Sequence, residues 1–115
     1  MNKKTITING KNYLVEFTLK TITLFEEIVE KSFFKTKFSK TTDRIALIYA
    51  AVETATPKHD LTVDTIMGDY SVENLKAISA AFTIISDLAT DFFDEPKVTE
   101  DKEIDKTQEG EKPKN

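Results

Sequence analysis

Polar and apolar residues alternate near the start of the chain. Thr5-Ile6-Thr7-Ile8 is followed by Asn9-Gly10 and then by Lys11-Asn12-Tyr13-Leu14-Val15-Glu16-Phe17. A period of two marks strands with one buried face. Asn-Gly between two such runs marks a hairpin, because a type I′ turn needs positive φ at both central positions. A two-residue loop pairs Ile8 with Lys11 and Ile6 with Tyr13. That register puts Ile6, Ile8, Tyr13, Val15 and Phe17 on one face, so turn and pattern agree. A lone hairpin is marginal in water, so this one packs on helices or meets another strand at its edge.

The period then changes to that of a helix. Leu24, Phe25, Ile28, Val29 and Phe33 form one stripe and predict a helix over 22–33. Thr21 or Thr23 caps it, with Thr23 and Glu26 at capping-box spacing. Glu26, Glu27 and Glu30 face solvent, and Glu27 pairs with Lys31 one turn on. Residues 34–42 read as a loop. A second helix covers 43–55, with Thr41, Thr42 and Asp43 as candidate caps and Pro57 marking its end. Its 45–52 segment is apolar on nearly every side. After the polar connector Lys58-His59-Asp60, Thr62 caps a short third helix over 63–69. Ile66 and Met67 point inward there, and Gly68 loosens its end. The last helix starts after Ser71 and continues to about Phe93. Leu75, Ile78, Phe82, Ile85, Ala89 and Phe92 alternate spacings of three and four, a heptad seam that Ala81, Ile84 and Leu88 widen. The expected fold is α+β and mainly α, an N-terminal β-hairpin packed on a small bundle of about four helices.

Charge divides the chain into two parts. Residues 94–115 hold eight acids and five lysines, a net of −3, with Val98 and Ile104 as the only sizeable aliphatics. Such a segment cannot bury enough apolar surface to offset its ordering entropy. It is expected to be a disordered acidic tail, either passively solubilising or partner-binding. Residues 1–93 hold twelve acids and eleven bases, a net of −1, and are expected to form one domain. That near-neutral body lacks the basic excess usual in a general nucleic-acid binder. Met1-Asn2-Lys3-Lys4 leads straight into a strand, without the apolar run of a signal peptide. The longest charge-free stretch of the body, 77–86, has ten residues, about half of what a membrane span needs.

Candidate chemistry is sparse. There is no cysteine, which removes disulfides, thiolate zinc sites and a cysteine nucleophile. The three glycines, Gly10, Gly68 and Gly110, are isolated and form no phosphate loop. His59, the only histidine, sits in a polar connector and reads as a surface residue, without the partners that catalysis needs. Asp87 and Asp91 share a helix face, but no second pair completes a metal box. The expectation is therefore no enzyme, no cofactor and no metal. Two features remain. Lys31, Lys35, Lys37, Lys40 and Arg44 interleave with Phe33, Phe34 and Phe38, either as a strand-binding loop or as core plugs kept soluble by lysines. The second and last helices carry more apolar surface than one small domain covers. The surplus is either intramolecular core, an oligomer interface or a groove for a partner helix.

The order of these elements resembles a known family. Ile6-x-Ile8-Asn9-Gly10-Lys11-x-Tyr13-x-Val15-x-Phe17 precedes Phe25-Glu26-Glu27 and Lys31-Ser32-Phe33-Phe34. Leu47-Ile48-Tyr49-Ala50-Ala51, Pro57 and Leu61-Thr62-Val63-Asp64-x-Ile66-Met67 follow. Over residues 4–92 this is similar to the tail assembly chaperones of long-tailed bacteriophages and prophages. The family pattern has a glycine before the Lys-Ser-Phe-Phe word. Here Glu30 stands there, so the first helix is expected to run on. The resemblance implies binding to the tape measure protein, which it keeps soluble while tail tube protein is recruited, in the cytoplasm of the bacterial host. It implies no nucleotide, no nucleic acid and no membrane, with a homo-oligomer left open. The expected partner-binding residues are Tyr49, Val52, Leu75, Ile78, Phe82, Ile85 and Leu88, with Phe34 and Phe38 as a second surface. The alternatives are a virion structural or connector protein, and a small nucleic-acid-binding regulator using the basic loop 31–44.

Overall fold

The computed structural model describes residues 2–68 and 71–94. The expected disordered tail falls, apart from Asp94, outside the described residues. Two antiparallel strands, β1 (Lys3–Ile8) and β2 (Lys11–Glu16), pair Ile8 with Lys11 and Ile6 with Tyr13, the register that the Asn-Gly turn demands. Asn9 and Gly10 take φ of 53° and 77°. The Asn9 side chain donates to the Thr65 carbonyl at 2.7 Å and ties the turn to the helical layer. Ile6, Ile8, Val15 and Phe17 are buried on the inner face, and Tyr13 is half-buried at its rim.

Helix α1 (Leu19–Val29) begins three residues before the expected start. Thr18 is its N-cap: its hydroxyl accepts from Lys20 N at 3.1 Å, and its own N–H donates to Thr21 Oγ1 at 3.0 Å. The reciprocal pair is a capping box with Thr in the place that Glu or Gln usually fills. Thr21, expected as a cap, is instead inside the helix and fully buried. Its hydroxyl donates to Glu16 O at 3.1 Å and lies 2.7 Å from Thr54 Oγ1, joining strand, α1 and α2. Thr23 also caps nothing and bonds back to Leu19 O.

The helix does not run on past Glu30. Glu30 takes the left-handed conformation, φ 59° and ψ 40°, that favours glycine. The break is held from both sides. The Glu26 carboxylate accepts from Phe33 N at 2.9 Å, and Lys31 reaches Asp43 at 2.9 Å, in place of the expected pairing with Glu27. Residues Phe33–Lys35 then form a single 3-10 turn.

Helix α2 (Thr41–Ala55) is the centre of the molecule. It packs on α1, on β2, on α4 and on the short α3, and eight of its residues are buried. Its N-cap is Lys40, with no side-chain cap bond, so Thr41, Thr42 and Asp43 lie inside the first turn. Asp43 suits that place, since a carboxylate near a helix N-terminus meets unpaired N–H groups. Helix α3 (Val63–Met67) is capped by Thr62, whose hydroxyl accepts from Thr65 N at 3.0 Å, and ends two residues early at Gly68, φ 60°. A Cβ on Gly68 would lie 2.8 Å from Asn74 Oδ1, so the close approach there needs glycine. Helix α4 (Val72–Asp94) has 23 residues and spans about 34 Å. It lies along the hairpin and closes the core from the far side.

Candidate partner-binding surfaces

Apolar surface reaches solvent at both ends of α4. At its N-terminal end Ile78 turns inward while Val72 and Leu75 stand 63% and 50% exposed. They face the first turns of α2 across a cleft of about 350 Å³ lined also by Thr42, Ile45 and Met67. A neighbouring depression of about 300 Å³, lined by Ile28, Val29, Ala46 and Val63, shares Thr42 and Met67 with it. The ion-paired Lys31 and Asp43 also line this second depression, so it is more polar than the first. Met67 borders both depressions, and a thioether chain adapts its shape readily.

The cleft exists because Leu75 does not enter the core. Asn74 takes the inward position, donating from Nδ2 to Ile66 O at 2.8 Å and also to Met67 O. Those carbonyls lie in the last turn of α3, where a helix leaves carbonyls over, and a buried amide donates to them. The inner stripe of α4 is thus Asn74, Ile78, Ala81, Ile85 and Leu88. Of the expected seam only Ile78 and Ile85 are in it: Asn74, Ala81 and Leu88 stand one residue before the expected Leu75, Phe82 and Ala89, and Phe92 is half-buried.

At the C-terminal end of α4 the apolar surface is aromatic. The chain has eight phenylalanines, and all of them, Phe17, Phe25, Phe33, Phe34, Phe38, Phe82, Phe92 and Phe93, join one network of ring contacts. Phe25 is fully buried at its base. Phe34 and Phe93 form its outer edge, 69% and 49% exposed, with ring centroids 5.9 Å apart. Arg44 locks the loop before α2: Nε donates to Phe38 O at 2.7 Å, and the guanidinium lies 4.9 Å from the centre of the Phe82 ring. Such stacking is favourable because the ring face is negative.

The polar connector is more ordered than its composition implies. The His59 side chain is only 5% exposed, not a surface group. Leu61 N donates to Nδ1 at 3.0 Å, which leaves Nε2 to carry the ring proton and donate to Glu53 at 2.6 Å. Its ring stands edge-on to Tyr49. Next to it, Lys11 Nζ lies 2.6 Å from Asp60, and the Tyr13 hydroxyl donates to the other carboxylate oxygen at 3.0 Å. These two bonds hold the Asp60 pKa below the usual carboxylate value, with the Lys11 bond the larger cause. The same carboxylate raises Lys11, while Tyr13 is raised first by burial and then by Asp60. Among the described residues no group of three His, Asp or Glu is placed to hold a metal ion, and no helix is long and apolar enough to cross a membrane.

Comparison of the chain with protein-family models, with curated proteins and with solved structures gives no match.

The residues expected to bind a partner divide between surface and interior. Val52, Ile78, Ile85 and Leu88 are buried in the core. Most of the apolar surplus expected on α2 is not at the surface, because α1, β2, α3 and α4 pack on that helix. Tyr49, Phe38 and Phe82 are half-buried. Leu75 and Phe34 are exposed, one at each end of α4. Sequence reasoning missed Val72, Met67 and Thr42 at the cleft, and Phe93 at the aromatic edge. The available signals were Val72 one turn before Leu75, and a doubled Phe92-Phe93 of which a helix buries only one ring.

Proposed function

We propose that this protein is a tail assembly chaperone that binds a long helical partner of the tape-measure type and keeps it soluble while tube subunits are recruited. The observation that supports the reading is the apolar cleft between α2 and α4, with Val72 and Leu75 exposed along it. A concave apolar cleft with an adaptable methionine in its lining fits the exposed stripe of an amphipathic helix, which is read through side chains one turn apart. The element order resembles the family.

The test is co-expression with a long helical chain of the tape-measure type. The soluble fraction of that chain should rise with the protein present. Leu75→Asp should abolish the effect while leaving the circular dichroism spectrum unchanged, because Leu75 faces solvent. A partner equally insoluble with and without the protein refutes the reading. Retention of the protein in purified virions would favour the virion structural alternative, since a chaperone leaves the finished particle.

A further inference from the structure

We propose that residues 95–105 of this same chain fold back over the aromatic end and dock on Phe34 and on Lys35, Lys37 and Lys40. This does not rest on the chaperone reading. The docking site is built from described residues. Phe34 and Phe93 expose their rings side by side, and Phe93 lies in the last turn of α4, where the segment begins. Residues 35–40 carry three lysines and no acid. All three are exposed, and none makes an ion pair among the described residues, although Asp91 and Asp94 of α4 lie at the same end of the molecule. An unscreened cluster of like charge beside bare rings is complementary to an acidic segment with interspersed aliphatics.

Residues 95–105 match that description. They hold five acids and two lysines, a net of −3 against the loop's +3, with Val98 and Ile104 between the charges. Pro96 lacks the N–H that would extend the ladder of α4. The reach is short. Val98 is four residues beyond Asp94, a span of at most about 14 Å when extended, while Phe34 is already in ring contact with Phe93. Tethering gives the segment a local concentration in the millimolar range, far above that of a free peptide. The result is a salt-sensitive cover over the aromatic edge, displaced by any partner that binds there.

The chain has no cysteine, so Thr107→Cys in the full-length protein gives one site for a nitroxide label. Paramagnetic broadening of the isotope-labelled amides of 34–40 is the readout. It should be roughly threefold stronger at ~20 mM salt than at ~0.5 M, where the screening length falls to a few ångströms. It should also fall to the high-salt level in the variant carrying Lys35→Glu, Lys37→Glu and Lys40→Glu, whose side chains are exposed and leave the core intact. Broadening that ignores both salt and charge reversal overturns the proposal. Broadening strongest around Thr42 and Leu75 overturns it too, because the segment would then occupy the cleft. Broadening that persists when spin-labelled unlabelled-isotope protein is mixed with isotope-labelled wild type makes the contact intermolecular, which also overturns it.

Discussion

The two ends of α4 expose apolar surface for different reasons. At the N-terminal end, near Leu75, a polar residue entered the core and displaced an apolar one outward. At the C-terminal end, about 27 Å away along the axis, aromatic residues entered the core in such number that the outermost rings found no cover. The first end is a concave aliphatic strip with threonines at its rim. The second is a ring edge flanked by lysines. The aliphatic end suits contact that salt scarcely affects, since hydrophobic burial is non-directional. The aromatic end combines ring contact with charge, so its occupancy responds to ionic strength.

The largest effect that separates layers of the aromatic end comes from two phenylalanines of the same network. Phe25→Ala removes a fully buried ring and is expected to cost about 3–5 kcal/mol of stability. Phe34→Ala removes a ring at the edge and should stay within about 0.5 kcal/mol. Urea unfolding followed by circular dichroism measures both. Equal losses would mean that the outer rings support the fold and are not a spare surface. The next effect is at Thr21, which lies under neither end. Thr21→Val keeps the shape but leaves Thr18 N–H and Glu16 O without their partner, for an expected loss of about 1–3 kcal/mol. A loss below that range would place water at the site.

Glu30→Gly should act in the opposite direction. The residue sits at φ 59°, where a side chain costs about 1–2 kcal/mol and glycine costs little. The greater freedom of glycine in the unfolded chain cancels part of the gain. The expected net is a stabilisation of roughly 0.5–1 kcal/mol, a rise of a few degrees in Tm. A lower Tm would mean that the Glu30 side chain contributes something other than strain. It would leave the aromatic end, which depends on this break to place Phe33 and Phe34, less well explained.

These residues also show which parts of the fold local rules reveal. The hairpin was legible because turn chemistry and alternation constrain the same register independently. The caps of α3 and the length of α4 were legible for the same reason. The start of α1 was not, because Thr21 fills a capping role that the pattern reserves for Glu or Gln. Its end was not, because Glu30 adopts a conformation that its own preferences oppose, held there by Phe33 N–H and Asp43. The face of α4 is turned by one residue at Leu75, Phe82 and Ala89; at Leu75 the reason is that the carbonyls drawing Asn74 inward belong to another helix. His59 was misread for a related reason: its partners are near in sequence, but only the fold closes a ring nine-tenths and more covered. Of the candidate surfaces, Leu75 and Phe34 could be named from hydrophobicity alone. The residues that complete each surface could not, because exposure is decided by what packs beside them.

The smallest expected effect tests whether the hairpin end contributes at all. Asp60 accepts from Lys11 and Tyr13 and thereby holds β2 against the connector. Its folded pKa is depressed, so its contribution is present above the unfolded carboxylate pKa, about 3.9. That contribution is lost as pH falls through the folded value. Lys11 is raised, so its share is present below its ordinary value and lost as pH rises through the raised one. Between these limits the pair should be insensitive to pH. Asp60→Asn removes the charge and should lower Tm slightly and evenly across that window. As the pH drops below about 4 the two Tm curves should converge, because the wild-type carboxylate then becomes neutral as well. Because both side chains are more than 60% exposed, the difference should also shrink with added salt. Parallel curves down to the lowest pH would show that the ion pair does not couple to folding. The hairpin would then be held by its buried face alone, by Ile6, Ile8, Val15 and Phe17.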